Sequence, residues 1–177
     1  MSNLFRSLLL ASCLLGLCEE PAYGEAVGSE AAVKVAFLYN FFKFIDWPEN
    51  APNTDAFHLC TSASENLGGS LAVLERKTLK DRAIVLKRHL NPQAMKDCHM
   101  VYIDSADNVD AILQALTALP VVTVSETNDF IDRGGMIGLH RESARFSFSL
   151  NLAAAKASHI HISAQLLKLA KEVRQSQ

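Results

Sequence analysis

Two periodicities organise the chain. Val33–Pro48 reads VKVAFLYNFFKFIDWP, and at 3.6 residues per turn Asn40, Lys43 and Asp46 form one narrow polar line. Phe37, Phe41 and Phe44, with Leu38, Phe42 and Ile45, cover most of the remaining circumference. A helix apolar over so much of its surface must be buried on two sides or cover a sheet. It should stop at Asp46-Trp47-Pro48, because proline disfavours helical geometry in the residue before it. The stretch is too short, and too interrupted by polar residues, to span a bilayer.

After a loop over Glu49–Asp55, the pattern changes to short apolar, β-branched-rich runs: Phe57–Thr61, Ala83–Arg88, Met100–Asp104 and Val121–Ser125. Helical patterns lie between several of them, over Glu65–Glu75, which contains Gly68-Gly69, and most clearly over Asp107–Leu119. Continuous apolar strands alternating with helices predict a mostly parallel sheet covered on both faces. In the last third, Met136–His140 and Ala144–Asn151 flank Arg141-Glu142-Ser143 and read as a hairpin. Phe146, Phe148 and Leu150 alternate there with Arg145, Ser147, Ser149 and Asn151, which marks a strand with one buried face. Gly134-Gly135 marks a turn needing positive φ before this hairpin. Asn151 should cap a short helix over Leu152–Ser158, and Ser163 a final one reaching Val173. Lys168, Lys171 and Arg174 would then complement the dipole of that last helix. The fold class is α/β: a three-layer sandwich with a mostly parallel sheet flanked by helices, a late β-hairpin and a C-terminal helix.

The first residues change the compartment. Arg6 supplies a positive n-region, Leu8–Leu17 an apolar core, and Ala22-Tyr23-Gly24 a small-x-small cleavage site. This is a signal peptide over residues 1–24, and its core is too short for a membrane anchor. Leu10-Ala11-Ser12-Cys13 also has the form of a lipoprotein cleavage box, although the apolar run continues past Cys13. Cleavage near Gly24 leaves a polar leader, 25–29, and one domain, 30–177, enough for a sizeable core. Loss of Arg6, Glu19 and Glu20 takes the formal net charge from −2 to −1. No basic face is evident in this balance, so nucleic acid is not expected as a partner. The mature chain is expected in the periplasm, in soluble form.

Export also removes Cys13 and Cys18 and leaves Cys60 and Cys98, which in an oxidising compartment points to one disulfide. A Cys2His2 metal site with His58 and His99 is the alternative arrangement, but neither pair has C-x2-C or H-x3-H spacing. No metal or cofactor is expected. G-x-S-x-G, P-loop, H-E-x-x-H and G-x-G-x-x-G motifs are all missing from the sequence. Ser62, Asp104, Ser125 and Glu126 should fall at the carboxyl ends of parallel strands, where open α/β sheets bind ligands. Serines and acids at such positions also start loops and cap helices, and that reading is preferred. His159 and His161 sit one residue apart in an extended stretch and should project to the same side. The chain is therefore expected not to be an enzyme.

Three words occur in order: AFLYNFFKFIDWP, GGMIGL at 134–139, and FSLNLAAAKASHIHISAQLLKLA at 148–170. With LCTS at 59–62 and CHMVYID at 98–104, they resemble the YfiR family from about Glu30 to Lys171. The resemblance implies a periplasmic repressor that binds the periplasmic domain of an inner-membrane diguanylate cyclase and lowers cyclic di-GMP and biofilm formation. It also implies a homodimer, redox tuning through disulfides, and an outer-membrane lipoprotein that sequesters the repressor. Cys60 and Cys98 match the family's first disulfide pair. The second disulfide of some members, near GGMI, cannot form, since that region holds no cysteine. By position, the resemblance places candidate partner contacts at Phe146, Phe148, Leu150 and Leu166, all of which could equally pack a core. A periplasmic small-ligand-binding α/β domain without a cyclase partner is the alternative.

Overall fold

The computed structural model describes residues 23–52, 55–143 and 145–175. The expected signal peptide therefore lies almost wholly outside the described residues. Helix α1 (Tyr23–Phe44) runs into a two-residue strand β1 (Ile45–Asp46), and β2 (Ala56–Ser62) follows. A 3₁₀ segment (Gly68–Arg76), β3 (Thr78–Leu79), β4 (Arg82–Leu90), a second 3₁₀ turn (Ala94–Asp97) and β5 (Met100–Ile103) come next. The chain continues through α2 (Val109–Leu116), β6 (Val122–Ser125), β7 (Ile137–Glu142), β8 (Arg145–Asn151) and α3 (Leu152–Ala157). It ends with β9 (His161–Ile162), α4 (Ala164–Leu169) and β10 (Glu172–Arg174).

Eight strands form one sheet in the order β10-β8-β7-β6-β5-β2-β4-β3. The central pairings, β4–β2, β2–β5, β5–β6 and β6–β7, are parallel, and so is β8–β10. The β3–β4 and β7–β8 hairpins are antiparallel. The continuous apolar strands are explained by their two covered faces. In β5, Met100 and Tyr102 enter one core with Leu38, Phe41 and Phe42 of α1, while Val101 and Ile103 enter a second core with Ile112 and Leu116 of α2. Helix α1 thus covers the sheet, and the stripe at Ala32, Val33, Ala36, Asn40 and Lys43 faces solvent.

Several boundaries differ from the sequence pattern, and the helical pattern over Glu65–Glu75 forms a 3₁₀ segment. Helix α1 spans Tyr23–Phe44 and so runs through residues 25–29. It also ends two residues before Asp46, because Ile45 and Asp46 pair antiparallel with Ile162 and His161. The β7–β8 strands pair as far as Glu142 and Arg145, which brings Arg141 and Glu142 into the strand. The last helix stops at Leu169, and Glu172–Arg174 adds to the sheet beside Ser149–Asn151 instead. Both proposed caps form: the Asn151 side chain accepts from Ala154 N–H at 3.0 Å and Ser163 Oγ from Leu166 N–H at 3.2 Å. Gly134 has φ +97°, as a turn requires, whereas Gly135 is needed for space, since a Cβ there would overlap the Phe130 ring.

Candidate functional site

The carboxyl ends of the central strands hold a polar network, and most of it is spent internally. Ser62 Oγ accepts from Asp104 N–H at 2.8 Å, and Ser125 Oγ donates to Ile103 O at 2.7 Å. Asp107 accepts from both the backbone N–H and the hydroxyl of Ser64, at 3.1 and 2.9 Å. Burial works to raise the Asp107 carboxyl, but hydrogen bonds from Ser62 and Ser64 outweigh it and hold the group below the usual carboxylate range. These side chains stitch neighbouring strand ends together, as turn-forming serines and acids commonly do.

One part of this edge carries charge inward. Lys34, 8% exposed, reaches from α1 to Glu126 at 2.7 Å, and Tyr102 OH donates to the same carboxylate oxygen at 2.6 Å. Burial, followed by the hydrogen bond to Glu126, raises the Tyr102 phenol well above its ordinary value. The Lys34 ammonium also lies 5.8 Å from the centroid of the Phe146 ring, within cation–π range. Lys34 therefore ties α1 to the end of β6 and to the hairpin in a single contact set.

The partner-contact candidates separate by burial. Phe148 and Leu150 are 4% and 0% exposed, and Leu166 is 2% exposed; all three belong to the core beneath α1. Phe148 sits edge-on to Phe41 and Phe37, with centroids 5.3 and 5.8 Å away. Phe146 points to the same side of the strand but lies nearer the hairpin loop, half-buried under Lys34. Of the four, it alone reaches the surface to an appreciable extent.

Cys60 and Cys98 are joined, with Cα atoms 6.1 Å apart, beneath the second 3₁₀ turn in the second core. With both sulfurs in this bond, the Cys2His2 arrangement does not form. His99 instead accepts a hydrogen bond at Nδ1 from His58 N–H at 3.0 Å, so the neutral ring carries its proton on Nε2. The Arg82 guanidinium, 3.2 Å from Nε2, is then in contact with the ring without a hydrogen bond. Burial, and after it the charge of Arg82, pulls the His99 pKa down to about 4, which keeps the imidazole neutral at physiological pH.

Around His99 the structure assembles a cleft of about 280 Å³ that the sequence pattern did not disclose. Trp47 donates from Nε1 to His99 O at 2.9 Å and stacks on Phe42, with centroids 5.5 Å apart. Phe57 packs edge-to-face on His99, and Arg82 lies 4.0 Å from the Phe57 ring centroid. Lys80 and Asp46 pair at 2.5 Å across the mouth. Such a cleft combines aromatic walls with cationic groups and suits binding of an anionic or aromatic group. The one available sequence signal was the single Trp, inside the Asp46-Trp47-Pro48 word. His159 is not in an extended stretch: it has φ 55° in the turn after α3, whereas His161 lies on β9 with Nδ1 3.7 Å from Asp46.

Among the described residues no helix is long and apolar enough to cross a membrane, and no group of three or more His, Cys, Asp or Glu side chains gathers as a metal site would. The family model described as YfiR/HmsC-like matches residues 31–171. No curated protein matches the sequence. Among solved structures, a conserved domain protein from Vibrio cholerae O1 biovar El Tor is similar with a TM-score of 0.51 and 14% identity. The similarity covers 81% of this chain and 60% of that one, and at this identity it speaks for the fold alone.

Proposed function

Since the chain belongs to the YfiR/HmsC-like family, we propose that it is a periplasmic regulatory binding protein that represses an inner-membrane diguanylate cyclase, lowering cyclic di-GMP and biofilm formation. In this reading the leader is cleaved near Gly24, the mature protein is a homodimer, and an outer-membrane lipoprotein competes for it. The observation that carries the proposal is the family match over residues 31–171, almost the whole expected mature domain. The strand-end serines and acids, engaged with one another, supply no obvious chemistry of their own and agree with a binding role.

Repression needs only differential affinity. A domain that prefers the inactive conformation of a membrane receptor shifts its population by that preference. Converting a 1:99 mixture to 99:1 takes about 5.5 kcal/mol. We place the contact at Phe146, with Phe148, Leu150 and Leu166 supporting it from the core. Deleting the gene should raise cyclic di-GMP and surface attachment, and the wild-type gene should restore both. Complementation with Phe146→Asp should fail while the variant accumulates and melts like wild type. Unchanged nucleotide levels on deletion would sink the regulatory reading, and full complementation by Phe146→Asp would remove this contact.

A second reading, a periplasmic small-ligand-binding domain, is favoured by the Trp47–Arg82 cleft. A thermal-shift screen with small carboxylates and aromatic anions would support it through a raised melting temperature that Arg82→Ala abolishes.

A further inference from the structure

We propose that the free edge of β4, from Ile84 to Arg88, is a docking site for an extended acidic segment of a partner protein, added to the sheet as a further strand. Strand β3 pairs only with Arg82 and Ala83. From Ile84 onward, β4 has a sheet neighbour on the β2 side alone among the described residues. The direction of its backbone groups follows from two bonds. Ile84 N–H points away from β2, to Lys77 O at 3.3 Å, whereas His89 N–H points toward β2, to Thr61 Oγ1 at 3.2 Å. The period of two along a strand then turns the N–H and C=O of Leu86 outward. The edge is closed at its far end by a bulge: Cys60 pairs with Lys87 but Ser62 with Leu90, and His89 takes φ 57°. What remains is a short edge on which alternate residues, with Leu86 at its centre, turn their backbone groups outward, Ile84 N–H being held by Lys77 O; this is the geometry used in strand addition.

Charge decides what fits there. Between Arg76 and Arg88 the sequence carries six Lys or Arg and a single acid, Asp81, in a chain whose formal net charge is −2. Lys80 is paired with Asp46 and Arg88 with Glu65. Arg76, Lys77 and Lys87 form no ion pair among the described residues. Lys87 lies on the edge itself, and Val85 beside it is 39% exposed. A second copy is a poor occupant, because pairing two such edges brings two sets of Lys87 and Arg88 together, and like charges across strands repel. A nucleic acid or an anionic membrane could use the cations but not the backbone groups. An extended polypeptide alternating acidic and apolar residues uses both. This surface is separate from the one around Phe146, and its test does not pass through the cyclase.

The test uses the full exported chain, purified from the periplasm, and a fluorescent peptide of about eight residues alternating Glu and Val. A matched Lys–Val peptide, a single-stranded DNA oligonucleotide and phosphatidylglycerol vesicles serve as comparators. We expect the Glu–Val peptide to bind at least about tenfold more tightly than the Lys–Val peptide. We also expect it to slow hydrogen exchange at the Leu86 amide. Lys87→Glu, checked for native circular dichroism, should reverse the preference. Absence of Glu–Val binding would overturn the proposal, as would binding that leaves Leu86 exchange unchanged. A Lys87→Glu protein with unaltered preference, or DNA or vesicles that protect Leu86 as well as the peptide does, would overturn it too.

Discussion

Breaking the Cys60–Cys98 bond should cost about 4 kcal/mol of stability. The bond spans a sequence separation of 38 residues. Chain-entropy reasoning for a loop of that size gives a loss of roughly 13 cal/mol/K from the unfolded ensemble, or about 4 kcal/mol at 25 °C. A protein of this size has only about 5–15 kcal/mol in total, so the bond carries a large share of the margin. Both cysteines are fully buried in the second core, between β2 and the approach to β5. Reduction therefore also loosens the register of two central strands. The assay is urea denaturation of oxidised protein, reduced protein and the Cys60→Ala/Cys98→Ala variant. The two uncrosslinked forms should agree within about 1 kcal/mol and fall about 4 kcal/mol below the oxidised form, or some 8–16 °C in Tm. A loss under about 1 kcal/mol in both would refute the reasoning, as it would mean the unfolded chain is already compact across this loop. Two free thiols in periplasmic protein would refute the pairing itself.

Three other perturbations test separate parts of the structure. His99 has a folded pKa of about 4 against an unfolded value near 6.5, so its neutral form favours folding. That contribution is present above pH 6.5 and is lost as pH falls toward 4, on the order of 3 kcal/mol; His99→Gln should flatten this limb in urea titrations between pH 7 and 4.5, and an unchanged slope would exclude His99 as its source. Gly135→Ala forces a methyl group into the Phe130 ring, itself 2% exposed, and should cost about 1–3 kcal/mol in the same assay. Wild-type stability would show that the ring can move aside. The two-residue β3–β4 turn places Lys80 and Asp81 at φ 51° and 61°, a left-handed region that glycine adopts more readily than either Lys or Asp. Asp81→Gly should accordingly raise stability by about 0.5–1 kcal/mol by thermal melting, whereas a lower Tm would mean the turn is not strained.

Features set by local periodicity and local hydrogen bonds were legible along the chain. The apolar runs at β2, β5 and β6 announced strands buried on both faces, and the alternation after Arg145 announced the hairpin arm. Asn151 and Ser163 cap the helices they precede because a cap needs only a side chain and an N–H three residues on. The words around Asp46-Trp47-Pro48, Gly134-Gly135 and the last third carried the family resemblance.

The remaining features depend on long-range packing. Leu-Ala-Lys-Glu-Val-Arg has no stop signal, yet the chain leaves helical geometry at Ala170, because the open edge of β8 offers Glu172–Arg174 ladder hydrogen bonds that an exposed last turn does not. Ile45 and Asp46 leave α1 for the same reason, since Ile162 and His161 lie beside them. The Trp47–His99–Arg82 cleft joins residues from three distant segments, and no window of sequence contains it. Phe146 and Phe148 differ by one strand period and were indistinguishable in pattern. Burial separates them because α1 covers Phe148 completely and only a lysine side chain reaches over Phe146. Position along a repeat is written in the chain, but which repeats end up covered depends on what packs across them.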